Sequence, residues 1–424
     1  MIRLLKLNKS SVEKLEIALT FIVFTYYLGL NISEQVTQAW ALFNFVSVPI
    51  LISRCFQHYC WVLTKNLPIL ILLIIVPTSV LWSSSPNDTL AYSRAFLCST
   101  AFGIYLATRY TPKEHMQQLA WLFGISTFLN LIVPLLAPSY GTDRGIWKGI
   151  TPHKNELSAA MALVATFCLT NALYGDKKYR WFAYMGACVS FFILLMSQGK
   201  GSLGIFTGLL IILPLNKIIK QHYKLRTCLI ITALFIATVI AVSVSLNFEY
   251  ILVDLLGKNV GLNGRDKLWN YLIDRAMQRP WFGYGYAGFW TNLEEGKAVA
   301  VSFSWIGGAG TGGGNAHSSY MDVFLQLGWL GLSLVGTSLI TTLTKIILSL
   351  GVTKRNEFFW MLQSILFMAI TSYYESYGGF LAYRHLFWVL YVSYSCYSAI
   401  YFYRIFVNRN KLTNIHLQNK AMTF

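Results

Sequence analysis

QQLAWLFGISTFLNLIVPLLA, residues 117–137, runs for 21 positions without a charged side chain. As an α-helix it extends about 31 Å, which matches the hydrocarbon core of a bilayer. Lipid offers no partner to open backbone groups, so a run of this kind is a helix and not an extended strand. Outward from it, comparable apolar runs recur at 15–30, 36–52, 67–82, 94–107, 156–174, 181–197, 202–215, 227–246, 318–348, 358–373 and 385–403. With 117–137 these make twelve expected spans, several of which are short enough that their ends run into the flanking polar residues. The run 15–30 follows Arg3, Lys6, Lys9 and Lys14 in the manner of a signal peptide, yet no small-residue cleavage site follows Leu30, so it is expected as an uncleaved first helix.

Composition agrees. With 55% hydrophobic and 12% charged residues, a chain of 424 residues has too little polar surface to cover a soluble globule. Its mean hydropathy of +0.51 points the same way. The expected fold class is all-α, a polytopic membrane protein of about 12 transmembrane helices with one large periplasmic loop carrying an amphipathic helix. Residues 1–424 read as a single membrane domain, with no internal repeat, and 247–317 as the loop between the ninth and tenth helices.

Basic residues set the orientation, because short basic loops resist translocation. Arg54, Lys65, Arg109, Lys113, Lys177, Lys178, Arg180, Lys217, Lys220, Lys354 and Arg355 fall in alternate short connections, on the side of the basic N-terminal segment. Both termini are therefore expected in the cytoplasm and the long loop outside. The net charge of +17 follows from this topology and calls for no nucleic acid. Cys55, Cys60, Cys98, Cys168, Cys188, Cys228 and Cys396 form no CxxC pair, so neither a disulfide nor a zinc site is expected.

Within the loop, RDKLWNYLIDRAMQR (265–279) places Leu268, Trp269, Leu272, Ile273, Ala276 and Met277 on one stripe. Arg265, Asp266, Asp274, Arg275, Gln278 and Arg279 take the opposite face, Asn263 is a candidate cap, and Pro280 follows the end. Such a helix lies flat on the membrane or closes over the bundle. Arg265 is either a solvated face charge or a phosphate-binding cation, and Arg275 is a further candidate for substrate contact. Lys200, in the outer turn 198–201 of SQGKGS, either snorkels to the interface or holds an anion. His317 follows the tract GGAGTGGGN (307–315) and precedes a helix; it is either a cap or a general base that takes a proton from an attacking hydroxyl. His153, Lys154 and Asn155 open another helix on the outer side, as an ordinary polar start or as a substrate contact.

Two glycine patterns carry no nucleotide. Gly283, Gly285 and Gly288 fit GxGxxG with no strand before them and no helix opening there, and GKGS at 199–202 lacks the phosphate-loop glycine at 194, which is Leu194. The aromatic residues of PWFGYGYAGFW (280–290), Tyr284 and Tyr286 among them, suit stacking on sugar faces or anchoring at the interface.

GITPHKNELSAAMAL (149–163), SQGKGSL (197–203), GRDKLWNYLIDRAMQRPWFGYGYAGFW (264–290) and AHSSYMDVFLQLGWLGL (316–332) together resemble, in order and spacing, the O-antigen ligase and polymerase family of membrane glycosyltransferases. The resemblance spans about 145–335. It implies a metal-independent, cofactor-free enzyme in the bacterial inner membrane, working on the periplasmic face. Such enzymes move a glycan from undecaprenyl pyrophosphate to a saccharide hydroxyl (polymerases) or to lipid A core (ligases). It also implies that Arg265 and the basic residue of the small-polar turn hold the pyrophosphate and that His317 acts near the acceptor. Ligases carry Arg at that turn, whereas this chain has Lys200, which lacks the bidentate fork. Ser318 stands where an Asn is common in the family. The HKN turn and Lys200 are more similar to the exopolysaccharide-polymerase branch. The expected partners are the lipid-linked donor, the acceptor, membrane lipids and a chain-length regulator. The rival class is a flippase for lipid-linked oligosaccharides, which needs charges inside the bundle where this chain gathers them at the outer ends.

The topology is testable directly: a reporter fused after residue 424 is expected to be active only as a cytoplasmic fusion. Activity confined to the periplasm would invert every loop.

Overall fold

The computed structural model describes residues 11–30, 33–221, 265–303, 314–376 and 379–407. The expected span 227–246, the candidate cap Asn263 and most of the glycine tract 307–315 lie outside them. The regular structure of the described residues is helical apart from Thr142–Asp143 and Ile146–Trp147, which pair antiparallel. Among the described residues, five helices have the length and apolarity to cross a membrane: Glu34–Ser53, Pro112–Leu136, Lys154–Tyr174, Lys177–Met196 and Ser319–Thr353. The pair Phe56–Thr64 and Leu67–Leu81, bent by 98°, is a sixth candidate. The protein is an all-α polytopic membrane protein. Others of the expected twelve are short, Ser11–Tyr26 with 16 residues and Leu386–Phe402 with 17.

Boundaries shift where local chemistry overrides hydropathy. The helix expected from 117 begins at Pro112, because Thr111 accepts from the Glu114 backbone and the Glu114 side chain returns the bond, a reciprocal capping box with proline in the first turn. Phe56–Thr64 is a helix where only a connection was expected. Lys200, expected in a turn ahead of its helix, is instead the first residue of the helix Lys200–Ile212.

The chain divides into two compact units. The first comprises Met1–Leu73, Arg94–Phe206 and Leu381–Ile400. Its centre is Leu386–Phe402, buried from Leu386 through Ile400 on every side. A helix buried all round must satisfy its polar side chains internally. Trp388 donates to Thr100 at 2.9 Å, and Tyr397 donates to the carbonyls of Leu106 and Tyr110, both at 3.0 Å. Ser395 accepts from Asn66 at 2.8 Å. Glu16, buried nearby in the same unit, takes Arg109 at 2.7 Å and Arg54 at 3.1 Å.

The second unit comprises Ile74–Ser93, Thr207–Phe380 and Tyr401–Phe424. Its long helix Ser319–Thr353 breaks at Gly328, where φ is 61° and ψ −156°. The break frees two backbone amides, and the loop after the helix Arg265–Ala276 supplies their acceptors. Trp329 donates to the Pro280 carbonyl at 2.7 Å and Leu330 to the Trp281 carbonyl at 3.2 Å. In return, Tyr284 donates its amide to the Leu325 carbonyl at 2.8 Å. Close approach of two backbones needs glycine on both: a Cβ at Gly328 would lie 2.4 Å from the Trp281 carbonyl carbon, and one at Gly283 (φ 65°) 2.5 Å from the Leu325 oxygen. The glycines of the GxGxxG pattern are thus packing glycines. Gly285 and Gly288 face Ser83 in the same way, each leaving a Cβ within 2.6 Å of that side chain.

Gly283→Ala is expected to lower stability by about 1–3 kcal/mol, from strain at positive φ and the displaced carbonyl. Gly336→Ala, on the same long helix with nothing within 4 Å of a new Cβ, is expected to be neutral or mildly stabilising. Thermal unfolding in detergent distinguishes them, and equal midpoints would refute the packing role.

Candidate functional site

Arg265 opens the helix Arg265–Ala276, whose buried residues are Leu268, Leu272 and Ala276. Arg265 lies three positions before Leu268 and so shares the buried face, contrary to the expected placement on the polar side; helical spacing carries it inward, and a carboxylate receives it. Its guanidinium meets Glu375 Oε1 at 3.2 Å and donates to the Tyr374 carbonyl. That carbonyl is at the end of the helix Asn356–Tyr374, where unsatisfied carbonyls and the negative pole of the helix favour a cation. The second oxygen of Glu375 lies 3.6 Å from His317 Nδ1. Glu375 is 7% exposed, so this carboxylate joins the two residues in a largely desolvated place.

The segment before the helix Ser319–Thr353 is held with similar care. His317 has φ of 49°, and its amide donates to Asn315 Oδ1 at 3.0 Å. Trp269, from the helix that carries Arg265, donates to the Ala316 carbonyl at 2.8 Å. Asp322, in the first turns of the long helix, accepts from the Ala316 amide at 3.1 Å, from Trp290 Nε1 at 2.8 Å and from the Ser376 hydroxyl. One carboxyl thereby fixes the segment bearing His317 and the loop bearing Glu375 against the same helix. Ser319 donates to the Glu375 carbonyl at 3.2 Å, adding a second tie.

Arg275 stands ten positions after Arg265, about 15 Å along the helix, and is not brought to the Arg265 pair. It bonds Tyr271 at 3.0 Å and pairs with Glu295 at 3.6 Å. Tyr284 and Tyr286 are each 2% exposed. Both rings are buried, Tyr284 in the core with Phe289 and Trp290, and burial raises the Tyr284 phenol above its ordinary value, leaving it a neutral donor to the Arg275 carbonyl at 2.9 Å. The exposed aromatic residues of that segment are Trp281 and Phe282.

Lys200 and the HKN turn belong to the first unit, and there they adjoin. Ser158, one turn beyond Lys154, bonds Ser202 at 2.9 Å, and a Cβ at Gly199 would fall 2.2 Å from Ser158. This contact is why the turn SQGKGS holds glycine beside Lys200. His153 caps the helix Lys154–Tyr174, its Nδ1 accepting from the Asn155 amide at 3.2 Å. Lys200 is exposed at the start of its helix, where the positive pole adds to its charge.

Residues 183–336 match the family model described as O-antigen ligase. The match covers about a third of the chain and supports an O-antigen ligase/polymerase assignment. No curated protein matches the chain. The family segment contains Lys200, Arg265, His317 and Asp322, whereas Glu375 and the HKN turn lie outside it.

Sequence reasoning singled out neither Glu375 nor Asp322. Asp322 did leave a signal, as a lone acid within an otherwise apolar run five residues after His317. Glu375 left little, since its partner Arg265 is 110 positions away in the chain.

Asp322→Ala orphans three donors in a buried setting and is expected to cost about 3 kcal/mol or more, with Asp322→Asn costing less because one acceptor remains. Unfolding midpoints of the purified variants provide the check; a wild-type midpoint for Asp322→Ala would remove Asp322 from the framework.

Proposed function

We propose that this protein transfers a glycan from undecaprenyl pyrophosphate to a saccharide hydroxyl at the periplasmic face of the inner membrane, polymerising O-antigen or exopolysaccharide repeat units. The observation that carries the reading is the meeting of Arg265 and His317 on Glu375, with the first two inside the family segment. The match to the family model supports an enzyme acting on lipid-linked glycans. The residues supply the chemistry such a transfer requires.

Pyrophosphate leaves readily once the charge that grows on it is neutralised. A guanidinium aimed at that oxygen is typically worth about 3 kcal/mol of transition-state stabilisation, and Arg265 takes this part, with Lys200 as the second cation. The acceptor hydroxyl must lose a proton as it attacks the anomeric carbon, and His317 accepts it, a contribution of about a hundred- to ten-thousandfold. Attack opposite the leaving group inverts the anomeric centre, and two side-chain cations do the work a divalent metal performs in other glycosyl transfers. The Lys200 turn with its HKN neighbour favours the polymerase branch. The family description favours the second reading, attachment to lipid A core. A deletion strain separates the two: single repeat units still attached to core indicate a polymerase, and loss of all attachment a ligase.

Transfer from a lipid-linked donor in liposomes tests the residues. His317→Ala and Arg265→Lys are each expected to lose at least about a hundredfold, the latter because lysine keeps the charge beside Glu375 without the fork. Lys200→Arg is expected to retain substantial activity and Lys200→Ala to lose most. Near-normal rates in folded His317→Ala and Arg265→Lys protein would overturn the reading.

A further inference from the structure

The geometry points to Glu375 as a positioning residue that couples the two halves of the reaction: its carboxylate occupies Arg265 until the donor pyrophosphate displaces it, and is then committed to His317. This rests on the function proposed above and adds a residue outside the family segment.

Three observations carry it. Glu375 divides its two oxygens, Oε1 on Arg265 at 3.2 Å and Oε2 toward His317 Nδ1 at 3.6 Å, so one carboxylate serves both residues. The Arg265 contact is the shorter, and Arg265 is further held by the Tyr374 carbonyl next in the chain. Finally, the ties around Glu375 are to its backbone and neighbours: Ser319 donates to the carbonyls of Glu375 and Ser376, and the Ser376 hydroxyl reaches Asp322. The main chain is anchored, and the carboxylate meets both reactive residues.

A pyrophosphate arriving at Arg265 brings negative charge against that carboxylate, and like charges in a poorly solvated site repel strongly. Arg265 exchanges one anion for another at little net cost, since the fork fits phosphate as well as carboxylate. The released carboxylate closes on Nδ1 of His317. A carboxylate at one imidazole nitrogen fixes the tautomer that leaves Nε2 as the base, and such bonds are commonly long before substrate binds. In the transfer that follows, the acceptor oxygen forms its bond to the anomeric carbon as the bond from that carbon to the pyrophosphate oxygen breaks. The bonding pair leaves on undecaprenyl pyrophosphate beside Arg265, and the acceptor proton passes to His317, whose new charge faces Glu375. The base is thereby fully oriented only when a donor is in place.

The signature is a split between binding and turnover. Glu375→Gln removes the competing charge while keeping size, so undecaprenyl pyrophosphate is expected to bind full-length protein about tenfold more tightly while kcat for transfer falls at least about tenfold. A merely structural residue would weaken both. In an Arg265→Lys background, the gain in binding from Glu375→Gln should shrink, because lysine is a poorer match for either anion. Glu375→Asp, too short to span both partners, should move in the same two directions and serves if the glutamine variant fails to fold. Unchanged or weakened pyrophosphate binding in folded Glu375→Gln, or an unchanged kcat, overturns the coupling. Failure of the underlying function looks different: wild-type protein would transfer no glycan, or pyrophosphate binding would be indifferent to Arg265.

Discussion

Backbone hydrogen bonds that leave a helix within or beside the bilayer must be made again elsewhere, and Gly328 is where this protein meets that requirement. The carbonyls of Pro280 and Trp281 take the amides of Trp329 and Leu330, so a loop far outside the helix in sequence becomes part of its ladder. This exchange fixes the loop 280–284 against the long helix of the second unit. The helix Arg265–Ala276 ends just before Pro280, the segment bearing His317 begins the helix that Gly328 breaks, and both are held to one set of backbone contacts. The same exchange ties the loop to the connection before Pro86, where Ser84 donates to the Tyr284 carbonyl at 2.9 Å and Trp82 to the Phe282 carbonyl at 2.9 Å.

On this frame the charged residues are few and shared. Arg265 and Glu375 compensate each other, with His317 beside the carboxylate, which is the arrangement that makes charge tolerable away from water. Compensation of that kind also stores the means of exchange: a ligand that carries the charge of Glu375 can take its place on Arg265. Asp322 differs in character. It is surrounded by three donors from three segments and serves geometry, so its contribution falls on stability and on the placement of His317.

How much of this was legible follows from the range of each interaction. Apolar runs are local, and the helices Glu34–Ser53, Lys154–Tyr174 and Asn356–Tyr374 fall within two or three residues of the runs that foretold them. Arg265 and His317 were legible as chemistry, a cation and a titratable ring beside outer-face motifs. The face that Arg265 takes was misread, because its charge outweighed its spacing from Leu268, and a partner capable of drawing it inward stood in another loop. The burial of Tyr284 and Tyr286 was not legible for a related reason: composition gives an aromatic ring two uses, and only the glycines packed against Ser83 and Leu325 show that the loop folds inward. Glu375 depends entirely on long-range contact, and no local pattern announces it.

The central claim is that Arg265 receives the pyrophosphate of a lipid-linked donor beside the base His317. A cryo-electron microscopy structure of the full chain in a lipid nanodisc with undecaprenyl pyrophosphate addresses it most directly. The account predicts phosphate density against the Arg265 guanidinium, with the Glu375 carboxylate moved from Arg265 to His317 Nδ1. Phosphate density elsewhere, with the Arg265–Glu375 pair intact, would contradict it.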